Sequence, residues 1–405
     1  MKRILHYSLL MAAVTLVLAS CENDDTDMTD IIAQYQEEPA AVELDFSDLD
    51  EAADSPVTNE NDSAYNDYVE NSSWNKVISI GFDGDAVTVT GSVPGVSVQT
   101  DGAHVTVMNI AGPVKFIVSG ETGDGSLKFY GDKRFQLLLN NVDITNPNGA
   151  AINNQGGKSM YVVLADGTTS SLTDGADYTM VDGEDQKAAL FSEGQIIFSG
   201  SGRLDVHAQG RGGIRSDDYI RIRPGVKMYI ESTALDGLRA NDGIIIDGGV
   251  INVQATGNGA KGVRSGGPMT VNGGRLVAIS QGDTRIGLTE EGLVDTTACA
   301  ALSCDTLLTV NAGTVKLKAT GDGGKGINAK HDVDVTGGSL TAVATGTRVN
   351  KKPKGMKIDG NFAISGGYLY SYSRRSDPID VGDSTVLAPG YKDYRLTPVV
   401  LTISY

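Results

Sequence analysis

Cysteine, histidine and tryptophan are nearly missing from this chain of 405 residues: three Cys, four His and one Trp. The histidines (His6, His104, His207, His331) stand far from one another and from Cys21, Cys299 and Cys304. No Cys/His spacing suits zinc, and there is no Ser/His/Asp motif and no phosphate-binding loop. Basic residues are also scarce, 33 Lys and Arg against 51 Asp and Glu, for a formal charge of −18. That balance argues against a nucleic-acid partner, because phosphate binding needs a basic footprint. Helical periodicity is almost absent. The one long apolar run, Leu9 to Leu18, sits at the extreme N-terminus, too short and too early for a structural membrane span.

Glycine, by contrast, is abundant, with 51 residues, and it punctuates a repeat. Gly213-Ile214-Arg215-Ser216, Gly237-Leu238-Arg239-Ala240 and Gly262-Val263-Arg264-Ser265 are three copies of one phrase. Their pivots are Ile214, Leu238 and Val263. Each pivot is followed by a short alternating strand, a Gly and a second alternating strand. Three short strands cannot bury a face alone, so a period of this length means stacked units sharing one core. Ile152, Leu190, Leu302, Ile327 and Met356 extend the pivots outward. Short strands, Gly-Gly or Asn-Gly corners and this period predict an all-β, parallel β-helix of about 24–25 residues per coil. Its hand should be right, as parallel crossovers nearly always are. A β-sandwich predicts no such repeat, and a propeller blade needs a longer one.

Two pivot intervals, Ile152 to Leu190 and Val263 to Leu302, each carry about one extra half-coil. They predict insertions at about Asp166–Lys187 and Gln281–Thr297. Both fall between the last strand of one coil and the pivot of the next, hence at one corner. The four rungs between them span on the order of 19 Å, a floor with a wall at each end. Outside the repeat the charge is uneven. Residues 22–72 hold 17 acidic residues and no Lys or Arg, whereas residues 73–405 are close to neutral. Low hydrophobicity and high charge predict a disordered tether over 21–72. Residues 1–20 read as a signal peptide, and Leu18-Ala19-Ser20-Cys21 resembles a bacterial lipobox, which implies lipid on Cys21. Glu22-Asn23-Asp24-Asp25 resembles the acidic signal of surface-exposed outer-membrane lipoproteins. The alternatives are an ordinary cleavage site and a plain solvated linker.

If each pivot points inward, the next residue points outward. That column contains Phe191, Arg215, Arg239 and Arg264, a candidate carbohydrate-binding ladder with Phe191 as a stacking face. The alternative is a ladder neutralised by Asp217, Asp236 and Asp242. Asp217, Asp218, Asn241 and Asp242 gather at the next turn, as candidate calcium ligands or as Asx turns. Trp74 is a candidate sugar platform or a cover for the first coil. Tyr368, Tyr370 and Tyr372 alternate along one strand, either a glycan strip or a surface packed by residues Gly390–Tyr405. Cys299 and Cys304 flank one rung, and a disulfide is allowed outside the cytoplasm.

The order of several segments resembles the family of bacterial carbohydrate-binding β-helix proteins with a polysaccharide-lyase-like fold. These are Leu139-Asn140-Asn141-Val142-Asp143-Ile144-Thr145, Gly149-Ala150-Ala151-Ile152, Ser171-Leu172-Thr173-Asp174-Gly175, Ala188-Ala189-Leu190-Phe191-Ser192 and the Gly-Gly coils up to Gly366-Gly367. The resemblance spans about residues 77–385. It implies a right-handed parallel β-helix, binding of cellulose-like or acidic plant polysaccharide, and bound calcium. Many family coils begin Asp-Gly-Ile, and the Asp is missing at Gly213-Ile214 and Gly262-Val263, so no calcium ligand is carried over. The chain is therefore expected to be a non-catalytic surface lipoprotein that binds polysaccharide and meets the membrane only through its anchor. Two other classes stay open. One is a uronate-directed polysaccharide lyase with Arg239 near Asp242 as candidate base, and the other a structural adhesin.

Overall fold

The structure is a computed structural model and describes residues 39–52, 54–288 and 292–387. The repeat folds as expected, into a parallel β-solenoid with three strands per coil. In the central coils Gly212–Ser216, Tyr219–Ile222 and Lys227–Ser232 are followed by Leu238–Ala240, Gly243–Ile246 and Val250–Ala255, and then by Lys261–Ser265, Met269–Val271 and Arg275–Ser280. Register is strict. Ile214 pairs with Leu238, Leu238 with Val263, Val263 with Leu302, Leu302 with Ile327 and Ile327 with Met356. All six are buried in one continuous core. Stacked identical positions cover each other's apolar face, which a single coil cannot do.

Glycine shapes the coil at two places. The turn before the third strand carries Gly225, Gly249, Gly274, Gly313, Gly338 and Gly367, all at φ between +73° and +89°. Only glycine adopts that region without steric cost. At the first strand, a Cβ on Gly213, Gly237 or Gly262 would lie 2.5–2.8 Å from a carbonyl oxygen of the next rung.

The N-terminal coils are less regular. Val77–Asp83 pairs antiparallel with Ala86–Thr90, and Val96–Asp101 with Ala103–Asn109, before the parallel stacking takes over. Both insertions leave at one corner, between the third strand of a coil and the first of the next. The first is shorter than the expected Asp166–Lys187, because Thr169–Asp174 is itself the third strand of its coil. Its sequence TSSLTD has one buried apolar residue, Leu172, and so looked like loop. The second contains a hairpin, Arg285–Leu288 against Val294–Thr297. A third insertion, residues 345–353, leaves the same corner between Ser339–Ala344 and Lys354–Ile358.

The acidic segment departs from expectation. Residues 1–38, which include Cys21 and the acidic run after it, lie outside the described residues. From residue 39 onward the chain is not a free tether but a strap packed along the solenoid. Val42 is buried against Val277, Ile279, Val343, Tyr370 and Tyr372. The Ala40 amide donates to the Tyr370 hydroxyl at 3.1 Å. Asp45 exchanges hydrogen bonds with Asn252, both 2.8 Å, and pairs with Arg275 at 3.3 Å. Glu51 accepts the amides of Gly225 and Gly249 at 3.1 and 2.7 Å. Asp54 and Glu70 hold the buried Arg223 at 2.5 and 2.8 Å, and Asp67 holds Arg221 at 3.0 Å. The strap ends where Trp74 meets Tyr161 edge-on, with ring centroids 5.5 Å apart. It thus runs against the coil order, from the coils of Tyr370 back to that of Tyr161. Composition alone reads as disorder, but Asp45, Asp48, Asp54, Asp67 and Glu70 are matched by cations that the solenoid brings from far along the chain. The same strap settles the tyrosines: Tyr370 and Tyr372 are buried under residues 40–44. The segment from Gly390 to Tyr405 lies outside the described residues.

Candidate functional site

The outward column of the first sheet is as expected, with Asn153, Phe191, Arg215, Arg239, Arg264, Ser303, Asn328 and Lys357 stacked in register, and Asp380 continues it. Its members differ in what they offer. Phe191 is fully buried, and Lys187 of the first insertion lies over its ring at 5.3 Å from the centroid. It is therefore a packing residue rather than an exposed sugar platform. The reason is that the first insertion folds back onto its own rung instead of standing away from it.

The arginines are partly exposed and held by local acids. Arg215 donates to Asp217 at 3.1 and 3.2 Å. Arg239 lies 3.5 Å from Asp236, and Arg264 lies 3.9 Å from Asp236 and 3.5 Å from Asp305. Burial and the flanking Arg264 and Arg215 charges push Arg239 below the ordinary guanidinium value. Like charges stacked one rung apart produce that effect.

At the turn that follows, Asp217 and Asp218 are engaged by groups of the protein itself. Asp217 is engaged by Lys187 and Arg215 and accepts the Asn241 amide at 3.0 Å. Asp218 accepts from Gln195 at 2.5 Å and from its neighbour's backbone amide at 2.8 Å. Asp242 donates its own amide to the Asp218 carbonyl. Asp217 instead gathers with Asp185 and Glu193, but the Lys187 ammonium already pairs with Asp185 and Asp217 there. Two of the three carboxylates are thus paired with the Lys187 ammonium, which a divalent ion would have to displace.

A cavity lies on the far side of the second insertion. It holds about 810 Å³, between the hairpin Arg285–Leu288/Val294–Thr297 and the 345–353 loop. Arg264 is the one member of the expected ladder that lines it. The floor continues through Ser303, Asn328 and Lys357, and nine Lys or Arg side chains line it against four Asp. A second column runs along one side, with Lys261 opposite Ala300, Ala300 opposite Lys325 and Lys325 opposite Lys354. All three lysines are 5–6% exposed. Lys354 is neutralised by Asp377 at 2.7 Å and Asp380 at 3.2 Å. Among the described residues, Lys261 and Lys325 have no carboxylate at ion-pair distance. Lys261 donates to the Gly259 carbonyl at 2.5 Å, and Lys325 to those of Gly323 and Lys352, both 2.6 Å. Burial lowers both lysines from 10.5 to about 8.

The corner that carries both walls is knitted by Asp322. Its carboxylate accepts the amides of Val349 and Asn350 at 2.7 and 3.0 Å, and its carbonyl accepts Thr284 of the hairpin loop at 2.8 Å. Burial alone would raise its carboxyl, but these donors outweigh it and hold the group below its ordinary value. Cys299 and Cys304 are both free and buried, not bridged. The lysine column escaped sequence reading. It sits two residues before each pivot, at the corner, and only the slightly long interval between Ile327 and Met356 hinted at a third wall.

Carbohydrate-binding domain-containing proteins share a sequence profile that matches residues 101–342. A protein of that description from Acetivibrio thermocellus is 32% identical over 148 residues, which is 36% of this chain and 50% of the relative. The chain thus spans about half the length of the curated relative it matches. A solved structure described as the polysaccharide lyase-like protein from C. thermocellum, a gadolinium derivative, covers 77% of this chain and 97% of its own. It is 20% identical, with a TM-score of 0.45.

Proposed function

The chain belongs to the family of carbohydrate-binding domain-containing proteins, and on that premise we propose that its cationic cavity binds an acidic polysaccharide and does not cleave it. The observation that carries this reading is the pair Lys261 and Lys325, buried cations in a cavity wall with no carboxylate paired to them among the described residues. Burying an unpaired charge is costly, and a ligand carboxylate would offset that cost. The surplus of Lys and Arg over Asp in the lining supports the same ligand class. The partly exposed Arg215 and Arg239 extend the positive column beyond the cavity, so a polymer can continue past it.

The same proposal includes display on the outer surface through lipid on Cys21. Weak single-site affinity would then be raised by avidity on a polymer. Affinity electrophoresis of the full chain with polygalacturonate over a salt series tests the binding. Retardation should fall as salt rises, and no retardation at low salt by polygalacturonate, polymannuronate or unsulfated chondroitin would refute the reading. Absorbance of unsaturated uronides in the same samples separates binding from the lyase alternative, and steady release of such product would favour the lyase.

A further inference from the structure

We infer that the cavity selects a glycan whose carboxylates recur on every second sugar of the bound face, read by Lys261 and Lys325 across the rung of Ala300, which presents no cation. This rests on the reading of the cavity as a site for acidic polysaccharide. The rungs of a parallel sheet repeat at about 4.8 Å, so Lys261 and Lys325 stand two rungs, or about 10 Å, apart along the axis. An extended 1,4-linked pyranose chain rises by roughly one rung per sugar. The first rung offers Lys261 and the third Lys325, with Arg264 and Lys330 beside them in the lining but both paired to Asp305.

The rung between them is chemically different. Ala300 and Ser303 carry no charge, and Asp305 faces the same cavity. Asp305 pairs with Arg264 and Lys330 through one oxygen, at 3.5 and 2.8 Å. Its other oxygen, Oδ1, is buried and has no hydrogen-bond donor. A carboxylate presented there would meet the Asp305 charge and be repelled, whereas a sugar hydroxyl could donate to the part of that carboxylate that stays exposed. The pattern is cation, hydroxyl acceptor, cation. The fourth rung ends the pattern, because Asp377 and Asp380 already neutralise Lys354.

Two sources supply that spacing: a repeat in which uronate alternates with a neutral sugar, and one edge of a flat two-fold homopolymer. Binding of the full chain is measured at constant ionic strength to unsulfated chondroitin, polymannuronate and polygalacturonate, with affinity expressed per uronate. Chondroitin, polymannuronate or both should bind about fivefold or more tightly than polygalacturonate, and the pattern between the two tells which source applies. Lys261→Met and Lys325→Met, which keep side-chain length in an apolar setting, should each cost about tenfold or more in chondroitin or polymannuronate binding. Asp305→Asn keeps the shape and removes the repulsion, so it should narrow the preference over polygalacturonate. Polygalacturonate binding as tightly per uronate as the other two would overturn the spacing inference and leave the proposed function standing. Absence of binding to all three would overturn both. A melting curve close to the parent's qualifies each variant, and Asp305→Asn reports independently of the buried lysines.

Discussion

Raising the pH from 7 to 9 should weaken binding of an acidic glycan while strengthening the fold, and the opposite signs make the test specific. Lys261 and Lys325 sit at about 8 because burial disfavours their charged form. The groups around Lys261 are Asp236, Arg264, Arg285 and Cys299, and those around Lys325 are Cys299, Lys354, Lys351 and Lys357. Burial pushes the Cys299 thiol above its ordinary 9.0. Binding that requires ammonium should fall about tenfold per lysine between pH 7 and 9, since the protonated fraction falls from roughly nine-tenths to one-tenth. The sign for stability is reversed. Between about 8 and 10.5 the unfolded chain keeps a proton at each lysine that the folded chain has lost, so unfolding free energy rises with pH. Each lysine contributes on the order of 3 kcal/mol across that whole interval. Calorimetric affinity for polygalacturonate and melting temperature, both from pH 6.5 to 9.5 at fixed ionic strength, read the two effects. In Lys261→Met/Lys325→Met both slopes should flatten. An affinity independent of pH between 7 and 9 in the parent would refute the claim that these lysines carry the ligand's charge.

Four further outcomes are expected. Arg223→Met leaves Asp54 and Glu70 without their cation and should cost about 1.5–3 kcal/mol, with new protease cuts within 39–72; an unchanged cleavage pattern would mean that the strap does not depend on this anchor. Replacing Arg215, Arg239 and Arg264 together with Gln should reduce low-salt binding only partly, about a hundredfold at most, because exposed ion pairs are worth about 1 kcal/mol or less each; complete loss would move the site onto the ladder. Calcium at millimolar levels should leave the melting temperature unchanged while Lys187 holds Asp185 and Asp217, and a saturable rise would show that the ion displaces it. Cys21→Ala should abolish lipid labelling and membrane partition, and retained partition into detergent would contradict the anchor.

The solenoid was legible in the sequence because its determinants are local and repeated. Ile214, Leu238 and Val263 recur at the coil length, and Gly225, Gly249 and Gly274 mark a corner held at positive φ. The outward column followed from strand alternation alone, and so did the common corner of the insertions. What each column member faces did not follow. Phe191 and Arg215 are equivalent by parity, yet a returning loop buries one and leaves the other half-open. Asp217 looked like a metal ligand because its cation, Lys187, belongs to an insertion with no period.

The strap and the lysine pair were decided only by tertiary structure. Asp45 finds Arg275, Asp54 and Glu70 find Arg223, and Asp67 finds Arg221, pairings between distant parts of the chain that no local pattern encodes. Lys261 and Lys325 are ordinary surface lysines by composition. They become buried cations because the hairpin insertion and the 345–353 loop fold over the same part of the solenoid. Periodicity by itself determined the cylinder, since each coil must repeat to share a core. Burial and charge compensation depend on what the non-repeating segments cover, and only the folded chain decides that.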